Sequence, residues 1–97
     1  MLFMIIERFD GNDMVPIYQH LRAHGRQLPA GLEYVDSWIE ANFGRCFQLM
    51  RCDDPALLQQ WVLQWRGLGA TFEIVPVVPS KTTQGVVHAY LDATTKA

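Results

Sequence analysis

Residues 45–50 read Arg45-Cys46-Phe47-Gln48-Leu49-Met50, and the interpretation of this run decides the fold. Successive side chains of a strand point to opposite faces. Here both alternations are apolar: Phe47 and Leu49 on one, Cys46 and Met50 on the other. A strand apolar on both faces belongs in the interior of a sheet that is covered on both sides. Gln48 is the one polar side chain in its middle.

On the N-terminal side, residues 32–40 form a second strand-like run, and Asn42-Phe43-Gly44 between the two is a turn. If Asn42 and Phe43 form a two-residue loop, Ala41 pairs with Gly44 and the hairpin zips outward from there. Tyr34, Asp36, Trp38 and Glu40 then share a face with Arg45, Phe47, Leu49 and Arg51. Val35, Ser37 and Ile39 share the other with Cys46, Gln48 and Met50. A helix that carries tryptophans needs room beneath it, so the smaller, partly polar face is assigned to the helices. The bulky face, with Tyr34, Trp38, Phe47 and Leu49, is assigned to a subunit interface. A one-residue slip exchanges the two faces.

On the C-terminal side, Asp53-Asp54-Pro55 is the strongest helix start in the chain, an acidic cap followed by proline at the first helical position. Leu57, Leu58, Trp61, Trp65 and Leu68 then form one apolar stripe, ended by Gly67 and Gly69. Residues 72–78 are a further strand, which Pro76 places at an edge. From Ser80 onward, Val86, Val87, Tyr90 and Leu91 suggest a short helix weakened by Gly85. At the start of the chain, residues 2–9 read as a strand and Asp10-Gly11-Asn12-Asp13 as a turn. A helix covers residues 14–24, with Pro16 in its first turn and Gly25 as its stop.

The order β-α-β-β-α-β is the split βαβ, ferredoxin-like pattern: an α+β fold with an antiparallel sheet, two helices on one face and a short C-terminal helix. The expected division is a domain over residues 1–79 and a tail over 80–97. The strands at 2–9 and 45–52 are apolar on both faces, whereas the two helices cover only one. A monomer seldom tolerates so large an exposed apolar patch. A face-to-face homodimer is the simplest cover, with the terminal helix folded across that face as the alternative.

The bulk numbers fit this picture. Ninety-seven residues suggest one domain, and 49% hydrophobic with 19% charged residues suits a folded chain. The formal charge of −2, with scattered Lys and Arg, provides no field for nucleic acid. The apolar opening ends at Glu7 and Arg8, too soon for a signal sequence or a membrane span. Cys46 and Cys52 on one extended strand stand roughly 20 Å apart, too far for a disulfide. Free thiols fit a reducing, cytoplasmic setting. No cofactor is expected.

Five runs carry a family resemblance: residues 2–9, Leu-Phe-Met-Ile-Ile-Glu-Arg-Phe; residues 25–32, Gly-Arg-Gln-Leu-Pro-Ala-Gly-Leu; Ser37-Trp38; residues 46–50; and residues 72–77, Phe-Glu-Ile-Val-Pro-Val. Their order and spacing resemble a family of short bacterial proteins catalogued only as a domain of unknown function. The family is similar in layout to the dimeric α+β barrels, a group with cofactor-independent monooxygenases, isomerases and haem-handling proteins. The resemblance implies the fold and a dimer and brings no catalytic residues with it.

Candidate chemistry is sparse. In the expected register Ser37 and Gln48 lie opposite each other beneath Trp61 and Trp65, which suggests a pocket for a small, mostly apolar molecule whose polar atom these two fix. The ordinary alternative is that the pair satisfy each other or a buried water within a solid core. His24 lies near the edge of its helix's apolar stripe, within reach of the same pocket as a general base. His20 and His24 have metal-pair spacing but no third ligand, so no metal is expected. Glu7 and Arg8, ending the first strand, suit a pocket mouth, a subunit edge or a surface ion pair. Arg26, in the helix-to-strand loop, suits a carboxylate ligand, an interfacial bond or plain solvation. No phosphate loop, nucleophile elbow or zinc-type cysteine cluster is present, which argues against nucleotide-dependent and hydrolytic classes. A small-molecule-binding protein or cofactor-free enzyme competes with a non-catalytic dimerisation module.

Overall fold

The computed structural model describes residues 1–95. β1 (Leu2–Phe9), α1 (Val15–His24), β2 (Glu33–Ile39), β3 (Arg45–Arg51), α2 (Ala56–Trp65), β4 (Ala70–Val77) and α3 (Ser80–Thr95) follow in chain order. The sheet runs β2-β3-β1-β4 with every neighbour antiparallel, so the fold is the ferredoxin-like βαββαβ arrangement plus a C-terminal helix. The strand apolar on both faces, β3, is interior, and β4 with Pro76 is an edge.

Both core helices start where acidic side chains satisfy the first free amides. Asp13 Oδ1 accepts from the Val15 amide at 3.0 Å, and Asp54 Oδ1 from the Ala56 amide at 2.9 Å. α1 stops at Gly25, which takes φ 69 while its amide donates to the Leu21 carbonyl at 2.8 Å. Ile17 of α1 and Leu58, Trp61 and Trp65 of α2 are buried against Phe3, Ile5, Phe9, Cys46 and Met50 of the sheet. Cys46 and Cys52 are free and buried.

The β2–β3 hairpin keeps the expected register from Asp36 to Ile39: Ser37 pairs with Gln48, and Trp38 with Phe47. Its loop is closed by the Glu40 amide on the Arg45 carbonyl at 2.9 Å and by a bidentate Arg45–Glu40 ion pair at 2.8 and 3.0 Å. The register then shifts between Tyr34 and Asp36, with Val35 as the extra residue of a bulge. Tyr34 therefore pairs with Met50 on the helix-covered side. An unbroken hairpin register instead predicts it across from Arg51, on the outer face beside Trp38. One inserted residue reverses every side chain beyond it.

The outer face carries Leu2, Met4, Ile6, Phe47 and Leu49, all partly buried, and Trp38, half exposed, with the Arg45 guanidinium 5.0 Å over the Phe47 ring. α3 does not cover this face. Instead of the short, weak helix expected, α3 runs 16 residues, and every one of them is exposed. It projects from the body: the radius of gyration is 17.1 Å, against about 12.5 Å for a compact chain of this length. Among the described residues no helix is long and apolar enough to cross a membrane.

Candidate functional site

A cavity of about 130 Å³ lies between the sheet and the two core helices. Its floor is the inner face of β1, β2 and β3, and its roof is α1 and α2. Ser37, Gln48, Trp61 and Trp65 all line it. His24 does not: it is exposed near the end of α1, its ring 4.5 Å from that of His20. His20 is held instead by Gln27 at 2.9 Å and by the Trp65 ring at 4.9 Å. Among the described residues no group of three or more His, Cys, Asp or Glu side chains is placed to hold a metal ion.

The tryptophans are fixed from one point. Trp61 Nε1 and Trp65 Nε1 both donate to the Arg26 carbonyl, at 2.9 and 3.1 Å. Buried indole N–H groups need such a partner, and one loop oxygen serves both rings. The loop reaches that position through two left-handed residues, Gly25 at φ 69 and Gln27 at φ 57. The Arg26 guanidinium turns the other way and stacks 3.7 Å over the Tyr34 ring. Tyr34 Oη in turn lies 2.6 Å from Ser37 Oγ. The bulge at Val35 is what brings Tyr34 to this side. Ser37 is thus satisfied by Tyr34, whereas the Gln48 amide nitrogen faces Met50 Sδ at 3.4 Å, a weak acceptor.

Glu7 and Arg26 are the charged side chains of the lining. Glu7 takes the inward parity of Phe3, Ile5 and Phe9, and stands between Cys46 on β3 and Phe72 on β4. Glu7 is 7% exposed; among the described residues no group hydrogen-bonds to its carboxyl or pairs with it, and the carboxyl oxygens front the open space of the cavity. Burial pushes it from the usual 4.5 up to about 7, with Arg26 pulling the other way. The neighbouring Cys46 thiol is driven up to about 12, by burial first and by the Glu7 charge second. It stays protonated and behaves as a small apolar group. The Tyr18 hydroxyl, across the cavity on α1, is raised by burial and by the same two groups.

The sequence alone suits Glu7 to a pocket mouth, a subunit edge or a surface ion pair, and Arg26 to a carboxylate ligand, an interfacial bond or solvation. The signal for Glu7 was its parity: β1 buries positions 3, 5 and 9, and 7 belongs to that set. Arg26 gave no such signal, because its backbone oxygen does the structural holding.

The cavity, with Glu7 unpaired on its floor, lies between the four-stranded antiparallel sheet and the two helices of a ferredoxin-like α+β fold. The chain belongs to the family described as Domain of unknown function (DUF3303), whose model matches residues 1–91. No curated protein and no solved structure matches it.

Proposed function

We propose that the protein binds a small, mostly apolar or aromatic molecule in the cavity between sheet and helices. The observation that carries this reading is Glu7: an unpartnered carboxyl is costly to bury, and a core without a ligand role is expected to replace or pair it. The cavity volume of about 130 Å³ approaches the roughly 150 Å³ apolar space known to take up benzene. Trp61 and Trp65 supply the flat walls, and Gln48 and Glu7 the polar contacts. The free, buried thiols fit a cytoplasmic setting. The test is a titration with toluene followed by amide shifts in heteronuclear NMR. Saturable shifts around Gln48, Trp61 and Trp65, abolished by a space-filling Ser37→Leu variant that still folds, support the reading. Shifts confined to the surface, or none, contradict it.

A second reading, self-association, rests on the outer sheet face and α3. A four-stranded face of seven- and eight-residue strands covers on the order of 500 Å², whereas a stable interface takes about 800 Å² from each partner. The exposed stripe of Val86, Val87, Tyr90 and Leu91 on α3 supplies the difference if it lies on a second copy. α3 also needs such support: Gly85 and several β-branched residues make it a poor helix in water without packing. Sedimentation equilibrium tests this, and a monomer at micromolar concentration contradicts it.

A further inference from the structure

The two charges inside the cavity carry an inference about what the site accepts, which rests on the binding reading above. Glu7 and Arg26 line the same space and feel each other electrostatically, yet no ion pair or hydrogen bond joins them among the described residues. Neither has another charged partner there. Arg26 spends its guanidinium plane on the Tyr34 ring, which leaves its edge N–H donors free to point elsewhere. Ionised Glu7 offers only acceptors and Arg26 only donors. A group that satisfies both at once must donate on one side and accept on the other. A hydroxyl does so, a methyl or an ether does not, and the walls around it are aromatic.

We infer that the site selects a hydroxyl-bearing aromatic molecule, a phenol or an enol, with its O–H donated to Glu7 and its oxygen facing Arg26. The other polar side chains of the lining, Tyr18, Ser37 and Gln48, carry no charge and so do not replace the Glu7–Arg26 pair. Ser37 is already bonded to Tyr34, and the Gln48 amide nitrogen is turned towards Met50. Charge-assisted hydrogen bonds in a dry site are among the strongest a small ligand can make, so the hydroxyl should dominate the choice between molecules of one shape. Carrying the proton onto Glu7 breaks the ligand O–H bond, forms the carboxyl O–H bond and leaves the electron pair on a phenolate oxygen beside Arg26. The pair is thus arranged to polarise the ligand as well as to hold it.

The test compares phenol, anisole and toluene on the full chain by calorimetric titration, with cavity occupancy checked by NMR. Phenol should bind roughly tenfold or more tightly than the other two, the gain expected of a charge-assisted hydrogen bond. Anisole, which lacks the donor, should rank with toluene. In Glu7→Gln and Arg26→Met the phenol-to-toluene ratio should fall to within a few-fold. Arg26→Met leaves the backbone oxygen that anchors the tryptophans, and near-UV circular dichroism verifies that both variants keep the fold. Equal affinity for all three molecules inside the cavity overturns the inference and leaves the binding reading intact. A phenol preference that survives both substitutions overturns it also. Entry of none of the three overturns both.

Discussion

Glu7 on β1 stands directly across from Cys46 on β3, and the two share one buried environment that disfavours the charge on each. The carboxyl is pushed up to about 7 and the thiol up to about 12. Neither shift has a hydrogen bond behind it: desolvation is the first cause of both. Positions facing helices in a four-stranded sheet are usually given to apolar residues, and β1 does so at Phe3, Ile5 and Phe9. At Glu7 stability is given up for a titratable group inside a cavity.

That concession has a definite pH signature. Unfolded, Glu7 loses its proton near 4.5; folded, only near 7. Between these values the folded state holds more protons, so stability falls as pH rises through the window and levels off above it. The size of the effect is about 3 kcal/mol. Urea midpoints measured from pH 4.5 to 8 should decline by a corresponding amount in the wild type, and the decline should be largely absent in Glu7→Gln.

The shared acceptor of Trp61 and Trp65 predicts non-additive energetics. Trp61→Phe or Trp65→Phe removes one indole donor and leaves the Arg26 carbonyl bonded to the other, at a cost of about 1–2 kcal/mol. The double variant strands that oxygen. Its destabilisation in urea should exceed the sum of the two single changes by about 1 kcal/mol or more.

Cys46 should resist alkylation. With its thiol held protonated and buried beside Glu7, iodoacetamide at pH 8 should leave Cys46 unmodified in the native protein and label it fully in denaturant. Mass spectrometry of peptides reads both states.

Phe47 gives the prediction for assembly. It sits on the outer face opposite Trp38, partly exposed, so an aspartate there faces water in a single chain and the fold should persist. Phe47→Asp should weaken a dimer at least tenfold in sedimentation equilibrium, because a charge is then buried in an apolar interface. Removing residues 80–97 should weaken it independently.

Much of the fold was legible because local signals agreed with one another. The doubly apolar run at residues 45–50, the acidic start before Pro55 and the tryptophan stripe each permit one arrangement, and their order permits one topology. The meeting of Ser37 and Gln48 with the tryptophans followed from the hairpin loop together with the room that a tryptophan-bearing helix needs beneath it. The bulge at Val35 was not legible, since an inserted residue leaves no mark in a sequence that alternates imperfectly. It moved Tyr34 to the inner side and so completed the Arg26–Tyr34–Ser37 chain of contacts. Glu7 was hidden for another reason. A charge at a strand end reads as surface, and only the parity of its neighbours argues otherwise. His24 was drawn towards the pocket by its position on a helical wheel, but α1 turns that flank to solvent and gives the contact with Trp65 to His20.

The central claim is that Glu7 lies in a space a ligand can enter, and the carboxyl carbon of Glu7 reports on that directly. In a 13C-detected NMR titration its midpoint should lie near 7 in the free protein. Saturation with toluene should raise it further, because an uncharged ligand displaces the last solvent from around the carboxyl. A midpoint near the ordinary 4.5, unmoved by toluene, would place Glu7 in open solvent and contradict the account.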